Sequence, residues 1–190
     1  DRVKAVADAC RARNIPIRIG VNSGSIEREI LARHGGPTPE AMVESALYHR
    51  ALLNRFDFDD ICVSLKSSSV PDTVRANLLF SEQCDCPLHL GVTEAGTAEM
   101  GILKSAAGIG GLLCMGVGDT VRVSLTAPPE REVEAADKLL RAVRIRNANA
   151  DIRTEVTDLC EEARLDLEML GVLPTKTADE TDPLILGAVR

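Results

Sequence analysis

Short apolar runs and amphipathic segments alternate along most of this chain. Near the N-terminus, apolar residues recur at helical spacing, as at Val3, Ala7 and Cys10, which predicts a helix over residues 2–13. Four short apolar runs predict strands over residues 15–21, 61–65, 87–92 and 120–125. Because these runs are continuous rather than alternating, they are typical of parallel strands with helices packed on the sheet. The pattern therefore predicts an α/β fold.

Each predicted strand is followed by at least one predicted helix, so the chain contains four consecutive βα units. These helices are predicted over residues 26–33, 39–54, 70–84, 98–115 and 129–143. Thr38 is a favourable N-cap and Pro39 a favourable first helical residue, which fixes the start of one helix. Four βα units either form an open doubly wound sheet or make up half of an eight-stranded barrel, which typically needs about 250 residues.

Residues 147–190 break this pattern and are predicted to be a separate region. Residues 151–170 form an acidic helix candidate with an apolar stripe, and residues 174–183 are polar and bounded by prolines. We therefore divide the chain into an α/β substrate-binding region over residues 1–146 and an unassigned acidic helix and linker after it. The chain opens on Asp1 without a signal peptide, so we expect a fragment or processed product in a cytoplasmic type of compartment.

The composition narrows the classes of partner. With 29 acidic and 22 basic residues the net charge is −7, and aromatic residues make up 2% of the chain. Acidic charge and few stacking rings disfavour a nucleic-acid partner, and no apolar run reaches the roughly 18 residues that a membrane span needs. Of six cysteines only Cys84 and Cys86 are close in sequence, so we expect reduced thiols and no metal site built from cysteines alone.

Basic, hydroxyl and amide side chains lie at the ends of the predicted strands, where ligands bind in parallel α/β folds. The candidate residues are Arg18, Asn22, Lys66, Arg122 and Ser124, with Glu94 as a carboxylate at a strand end that could donate or accept a proton. Cations within apolar strands are costly to bury unless they are paired or bind a ligand. Guanidinium and ammonium groups beside neutral donors suit a phosphate, so an anion site is predicted. The alternative is that Arg18 and Arg122 pair with Glu94 or Asp119.

A family resemblance is carried by four ordered segments, residues 15–25, 63–68, 87–96 and 118–125. The first has the sequence IPIRIGVNSGS and the third PLHLGVTEAG. Together they resemble the 4-hydroxy-3-methylbut-2-enyl diphosphate synthase family. The resemblance implies a partial TIM (β/α)8 barrel, with about four consecutive βα units of its C-terminal half in this chain. It also implies an oxidoreductase that converts 2-C-methyl-D-erythritol 2,4-cyclodiphosphate to the allylic diphosphate in the MEP isoprenoid pathway, in the bacterial cytoplasm or the plastid stroma.

The resemblance also implies residue roles and partners. The residues that match the family's diphosphate-binding set are Arg18, Asn22, Lys66, Arg122 and Ser124, and Glu94 matches its catalytic carboxylate. Family members carry a [4Fe–4S] cluster on a C-terminal domain, take electrons from ferredoxin or flavodoxin, and act as homodimers. The Cys-Pro-x-Cys motif that would hold the cluster does not follow residue 146, and the family's first barrel strands would precede Asp1. We therefore expect the cluster ligands to be absent from this chain and the chain to be inactive alone.

Two other functions stay open. A phosphate-sugar lyase or a pterin-type transferase on a related barrel could use Lys66 as a Schiff-base lysine, activated by neighbouring cations. The chain could also be a non-catalytic fragment that folds only by pairing with another chain. Trapping of a carbonyl substrate on Lys66 with borohydride separates the lyase from the leading hypothesis.

Overall fold

Four parallel strands follow one another along the chain, which confirms the predicted α/β fold. The computed structural model describes residues 2–93 and 96–148. The strands are β1 (Ile17–Asn22), β2 (Ile61–Lys66), β3 (His89–Gly91) and β4 (Thr120–Arg122). β1 pairs with β2 and β3 pairs with β4, both in parallel, and a parallel bridge between Val63 and Leu88 joins the two pairs. The four strands therefore lie side by side in chain order, as consecutive βα units require.

One helix precedes the first strand, others connect the strands, and the last follows β4. They are α1 (Arg2–Arg11), α2 (Arg28–His34), α3 (Pro39–Asn54), α4 (Val70–Ser81), α5 (Ala98–Ser105), α6 (Gly111–Cys114) and α7 (Pro129–Ala148). Local sequence explains where two of them begin. Thr38 Oγ1 accepts a hydrogen bond from the Ala41 amide at 3.2 Å, and so caps α3. Ser69 Oγ does the same for α4, accepting from the Asp72 amide at 3.3 Å.

The hydrophobic core lies on one face of the strands and is built mainly from aliphatic side chains, together with Phe58 and Phe80. Its strand residues, all 7% exposed or less, include Ile19, Val21, Val63, Leu65 and Leu90. Burying a side chain of this size stabilises the fold by about 1.5–3 kcal/mol. In β1 the intervening residues Arg18, Gly20 and Asn22 are exposed. Only alternate residues of β1 therefore contribute to the core. The apolar run in the sequence predicts a strand that is buried throughout, and this prediction is wrong for β1.

The first and last strands are shorter than predicted because other groups take the backbone hydrogen bonds at their ends. The Ile15 amide donates to a carbonyl in the last turn of α1, and Pro16 has no amide proton, so β1 begins after them. After β4, the Leu125 amide donates to Glu132 Oε1 of α7 at 2.9 Å instead of to a neighbouring strand. Both ends are set by contacts with helices that an apolar run does not reveal.

The helix predicted over residues 98–115 is interrupted by a π-helical segment, Ala106–Gly110. Its glycines allow a close approach to the end of β3, since a Cβ on Gly108 would lie 3.0 Å from Val92 Cγ2. Glycine is compatible with many backbone conformations, so the helical pattern of the sequence does not indicate where the winding changes. Single π-helical turns are often found near functional sites, and this one packs behind the strand that carries His89.

The chain divides into two compact units, Asp1–Val143 and Arg144–Arg190. Of the second unit only residues 144–148, the end of α7, are described. The predicted acidic helix over residues 151–170 lies outside the described residues, and the boundary at residue 146 stays a prediction. Between residues 2 and 148, apart from the two that are not described, no helix is long and apolar enough to cross a membrane.

Candidate anion-binding site

Polar side chains from all four strands share the face of the sheet opposite the core, here called the polar face. Alternate residues of a strand point to the same side, and the parallel register places Asn22 opposite Lys66 and Gly91 opposite Arg122. The side chains of the polar face are those of Arg18, Asn22, Ser64, Lys66, His89, Thr120 and Arg122. The fold thus gathers residues that are more than 100 positions apart in the sequence.

Three cations from three strands lie together on the polar face. Arg18 and Arg122 are exposed and Lys66 is half-buried. Burial lowers the pKa of Lys66, and the charges of Arg18 and Arg122 lower it further. No acid among residues 2–93 and 96–148 forms a salt bridge with any of the three. The polar face therefore has a concentration of positive charge that a bound polyanion would neutralise.

Of the two acids proposed from sequence as partners of these cations, Asp119 is described and has another partner. Asp119 Oδ2 accepts a hydrogen bond from the Leu88 amide at 2.7 Å, which fastens the beginning of β4 to that of β3. Glu94 lies outside the described residues. Its catalytic role and its pairing with a cation both stay predictions.

His89 is the buried imidazole of the polar face, at 9% exposure. Its Nδ1 lies 2.8 Å from the hydroxyl of Thr120, the residue opposite it in β4. Its Nε2 is fully buried and has no hydrogen-bond partner among the described residues. Burial lowers the pKa of His89, as do the charges of Arg18, Lys66 and Arg122. At neutral pH the ring is therefore neutral, in contrast to the cations around it.

Gly91 provides the space in which Lys66 lies. A Cβ on Gly91 would approach Lys66 Cε to 3.2 Å and the Arg122 carbonyl oxygen to 3.2 Å. The aliphatic stem of Lys66 therefore lies over β3 at a position where a side chain larger than that of glycine would make a tight contact. The ammonium group is carried from the end of β2 toward β4 by this path.

The serines that follow Lys66 hold the start of α4. The Ser67 amide donates to Thr73 Oγ1 at 3.0 Å, and the Ser69 amide donates to Ser67 Oγ at 3.1 Å. Together with the Ser69 cap, these bonds fix the turn between β2 and α4. Ser67 and Ser69 thus contribute to the site indirectly, by holding the strand end that carries Lys66.

The structure brings Arg18, Lys66 and Arg122 together, as the anion-site prediction requires. Asn22 lies exposed at the end of β1, and Ser124 lies half-buried two residues beyond β4. Whether these residues bind a diphosphate stays a prediction. Sequence analysis gave no role to His89 and Thr120. Their positions in the sequence are the only indication of a role. His89 lies two residues before Gly91 on β3, and Thr120 lies two residues before Arg122 on β4, so each shares a face with a residue of the site.

A further cavity lies away from the polar face. It has a volume of about 500 Å³ and lies between α5, the segment after β4, and α7, lined mainly by apolar groups such as Ile102, Val123 and Leu139. Arg131 and Lys138 are also present, but so are acids of both helices. The cavity therefore lacks the unbalanced positive charge of the polar face.

The described cysteines do not fit an iron–sulfur cluster. Such a cluster is held by several thiolates in one place, and no group of three His, Cys, Asp or Glu side chains suited to a metal occurs in residues 2–93 or 96–148. Burial raises the pKa of Cys62. Burial and the neighbouring Cys84 thiol raise the pKa of Cys86 to about 11. These thiols stay protonated at neutral pH, which is unfavourable for metal ligands.

Comparison with known proteins decides the family. Residues 1–137 match the family model described as the GcpE TIM-barrel domain. The chain belongs to the GcpE family. This result confirms the resemblance carried by the four sequence segments.

Three similar relatives, all bearing the name 4-hydroxy-3-methylbut-2-en-1-yl diphosphate synthase (flavodoxin), extend the match. The one from Ruminiclostridium cellulolyticum is 56% identical over 143 residues, which cover 75% of this chain and 40% of the relative. That from Caldanaerobacter subterraneus subsp. tengcongensis is 47% identical over 193 residues, covering 100% of this chain and 54% of the relative. The third, from Fusobacterium nucleatum, is 52% identical over 167 residues, with coverages of 88% and 47%. The chain spans about half the length of these relatives.

Proposed function

We propose that this GcpE-family chain is part of the substrate-binding barrel of an enzyme that converts 2-C-methyl-D-erythritol 2,4-cyclodiphosphate to 4-hydroxy-3-methylbut-2-enyl diphosphate. The observation that carries the proposal is the cluster of Arg18, Lys66 and Arg122, three cations from β1, β2 and β4 with no acidic partner among the described residues. A diphosphate offers the charge and the oxygen atoms that such a cluster lacks. The names of the relatives point to the same product.

Within this site the residues divide the binding between them. The two guanidinium groups can each grip phosphate oxygens through paired N–H donors, and Lys66 supplies a point charge between them. Asn22 and Ser124 add neutral donors at the ends of β1 and β4. Glu94, two residues after Val92, is proposed as the catalytic carboxylate that donates or accepts a proton near the reacting carbon.

The barrel itself is proposed to be completed by further strands. Neither the outer edge of β1 nor that of β4 has a strand partner in the part of the chain that the structure describes. An open parallel edge leaves backbone donors and acceptors unpaired, and the polar face would otherwise stay exposed. Closure by the remaining strands of a (β/α)8 barrel would remove both edges and enclose the anion site.

Reduction of the substrate needs electrons that the described residues do not supply. We propose that flavodoxin, which appears in the names of the relatives, or a ferredoxin delivers them, and that a [4Fe–4S] cluster is held by residues other than those described. The part of this chain in residues 2–148 would then bind and orient the diphosphate without taking part in electron transfer. A homodimer and a cytoplasmic location also belong to this proposal.

Calorimetric titration of the full-length protein with the cyclodiphosphate tests the binding role. Arg122→Ala removes a charge-assisted contact and is expected to weaken binding by about 1.5–3 kcal/mol. Arg131→Ala is the matched control, because Arg131 lies on α7 and pairs with Glu134 at 3.0 Å. Equal affinities for the wild type and Arg122→Ala would overturn the assigned role of the cluster.

Glu94→Gln is expected to reduce turnover while leaving the affinity within about threefold, as for a group used in proton transfer.

One observation also favours a second candidate. Because burial and two arginines lower the pKa of Lys66, this amine is better suited than an ordinary lysine to form a Schiff base. A phosphate-sugar lyase would use it in that way. Borohydride treatment in the presence of a phosphorylated aldehyde or ketone would leave a stable adduct on Lys66 only if the lyase proposal is correct, and we expect no adduct.

A further inference from the structure

The imidazole of His89 is the buried polar group of the anion site that the proposed function leaves unexplained. It is 9% exposed, its Nδ1 is held by Thr120 at 2.8 Å, and its Nε2 is buried without a partner among the described residues. A buried nitrogen without a hydrogen-bond partner is unfavourable because it has lost its bonds to water. A group of this kind in the middle of a ligand site indicates a hydrogen bond that forms when the site is occupied.

The charges around His89 decide which nitrogen carries the proton. Arg18 approaches from β1, Lys66 from β2 and Arg122 from β4, and the positive potential of all three acts on the ring. A positive field favours a lone pair over an N–H group on the nitrogen that is not fixed by a neutral partner. The Thr120 hydroxyl can accept a hydrogen bond. The favoured tautomer therefore has its proton on Nδ1, donated to Thr120, and a lone pair on Nε2.

Lys66 is the donor that the strand geometry offers to this lone pair. His89 and Gly91 project to the same side of β3, and the stem of Lys66 lies over Gly91, where a Cβ would meet its Cε at 3.2 Å. The parallel bridge between Val63 and Leu88 places Lys66 two residues further along than the position opposite His89. The flexible Lys66 side chain can therefore reach back over the ring.

We propose that His89 is a positioning residue of the anion site, in which the neutral ring accepts a hydrogen bond at Nε2 from the Lys66 ammonium and holds it toward the bound diphosphate. The proposal rests on the proposed function for the identity of the ligand. It explains why a neutral imidazole is placed among three cations: the ring fixes one of them without adding a fourth charge. Thr120 has the further role of fixing the tautomer.

Two substitutions separate the nitrogens of the ring. In His89→Gln the side-chain amide can take the place of Nε2, and in His89→Asn it can take the place of Nδ1 and keep the contact with Thr120. We expect His89→Asn to weaken binding of the cyclodiphosphate to the full-length protein about tenfold, and His89→Gln by less than about threefold, the scale of one hydrogen bond. The reverse order, or no loss in either variant, would overturn the proposal.

A double-mutant cycle with Lys66→Met tests whether His89 acts through Lys66. If it does, adding His89→Asn to Lys66→Met causes no further loss of affinity, because the group being positioned is already absent. A further tenfold loss would show that His89 contacts the ligand directly and would contradict the proposal. Thermal unfolding of each variant identifies those that do not fold.

The tautomer can be measured without any substitution. The ¹⁵N spectrum of the wild-type imidazole in the free protein at pH 7.5 is expected to show a protonated Nδ1 and an unprotonated Nε2. A protonated Nε2 would refute the proposal even if both variants fail to fold. Failure of the wild type to bind the cyclodiphosphate would overturn the proposed function instead, and the ¹⁵N spectrum would still decide whether Nε2 is an acceptor.

Discussion

The two faces of the sheet have opposite relations to water and charge, although they are built from the same four strands. The core face buries residues such as Leu65 and Leu90, both 0% exposed, against helices. The polar face holds three cations, and burial together with the charges of Arg18 and Arg122 lowers the pKa of Lys66. The core face therefore stabilises the fold, whereas the polar face contributes little to stability and is suited to binding a ligand. The neighbouring residues Leu65 and Lys66 show this difference, because Leu65 packs in the core and Lys66 lies on the polar face.

The comparison predicts that adjacent substitutions in β2 have separate effects. Leu65→Ala leaves a cavity in the core and is expected to lower the free energy of unfolding by about 3 kcal/mol. Lys66→Met removes a half-buried cation that lies between two arginines, so stability is expected to stay the same or to rise by up to about 1 kcal/mol. Urea unfolding of both variants measures the difference. A loss of stability in Lys66→Met as large as that in Leu65→Ala would show that the two faces are not separate.

Gly118 lies just before β4 and close to the core residue Leu90. A side chain at this position is expected to cause the next largest loss of stability. Its φ of +113° is unfavourable for other residues, and a Cβ would lie 2.3 Å from Cδ1 and 2.7 Å from Cγ of the buried Leu90. Gly118→Ala is therefore expected to cost about 2–3 kcal/mol through backbone strain and overpacking. Gly116 is the control, because its φ is +80° but no atom lies within 4 Å of a Cβ built there. Gly116→Ala should cost about 1 kcal/mol, and equal losses in the two variants would exclude the clash with Leu90 as the cause.

The core face could be predicted from the sequence more fully than the polar face. The four strands, the order of the elements and the N-cap at Thr38 follow from local signals that the structure confirms. Arg18, Lys66 and Arg122 could be predicted as candidate site residues because cations are conspicuous in apolar strands; the structure places them on one face, and their binding of an anion stays a prediction. His89 was not predicted as a site residue because its role depends on the register with Thr120 and on burial, and both arise only when β3 and β4 pair.

The residues at which strands and helices end could also not be predicted from the local sequence. The predicted strand over residues 120–125 ends after Arg122 because Glu132, from a helix that begins later in the chain, accepts the Leu125 amide. The π-helical turn at Ala106–Gly110 depends on packing against Val92. In each case a long-range contact overrides a local preference, so the sequence pattern indicates the element but not where it ends.

Substitution of Gly91, on the polar face, is expected to change the affinity for the ligand more than the stability of the fold. In Gly91→Ala the new methyl group would displace Lys66 by a few tenths of an ångström, since Cε lies 3.2 Å from the Cβ position. We expect roughly a tenfold loss of affinity for the diphosphate, equivalent to about 1.4 kcal/mol. Gly20 on β1 has no atom within 4 Å of a Cβ, so Gly20→Ala is expected to stabilise the fold by about 0.4–1 kcal/mol through the unfolded state. If calorimetry finds full affinity in Gly91→Ala, then the path of Lys66 over β3 does not limit binding.

The smallest expected effect is a dependence of stability on pH that comes from the polar face alone. The pKa of His89 is lowered in the folded protein by burial and by the three cations, whereas in the unfolded chain it is about 6.5. As the pH falls through that value the unfolded state takes up more protons than the folded state, so the free energy of unfolding decreases. Between pH 7 and pH 6 this group can account for at most about 0.7 kcal/mol.

The carboxylates of Glu27 and Glu44, whose pKa values are lowered in the folded protein, lose their stabilising contribution only at lower pH, below the ordinary glutamate value of about 4.3. The loss due to His89 is therefore measured as the difference between wild type and His89→Gln in urea unfolding at pH 7 and pH 6. We expect the difference to become smaller when inorganic pyrophosphate is bound, because the anion offsets the charges of the three cations, whereas burial still lowers the pKa of His89. A pH dependence that is the same in both proteins would mean that neither burial nor the cations lower the pKa of His89 in the folded protein.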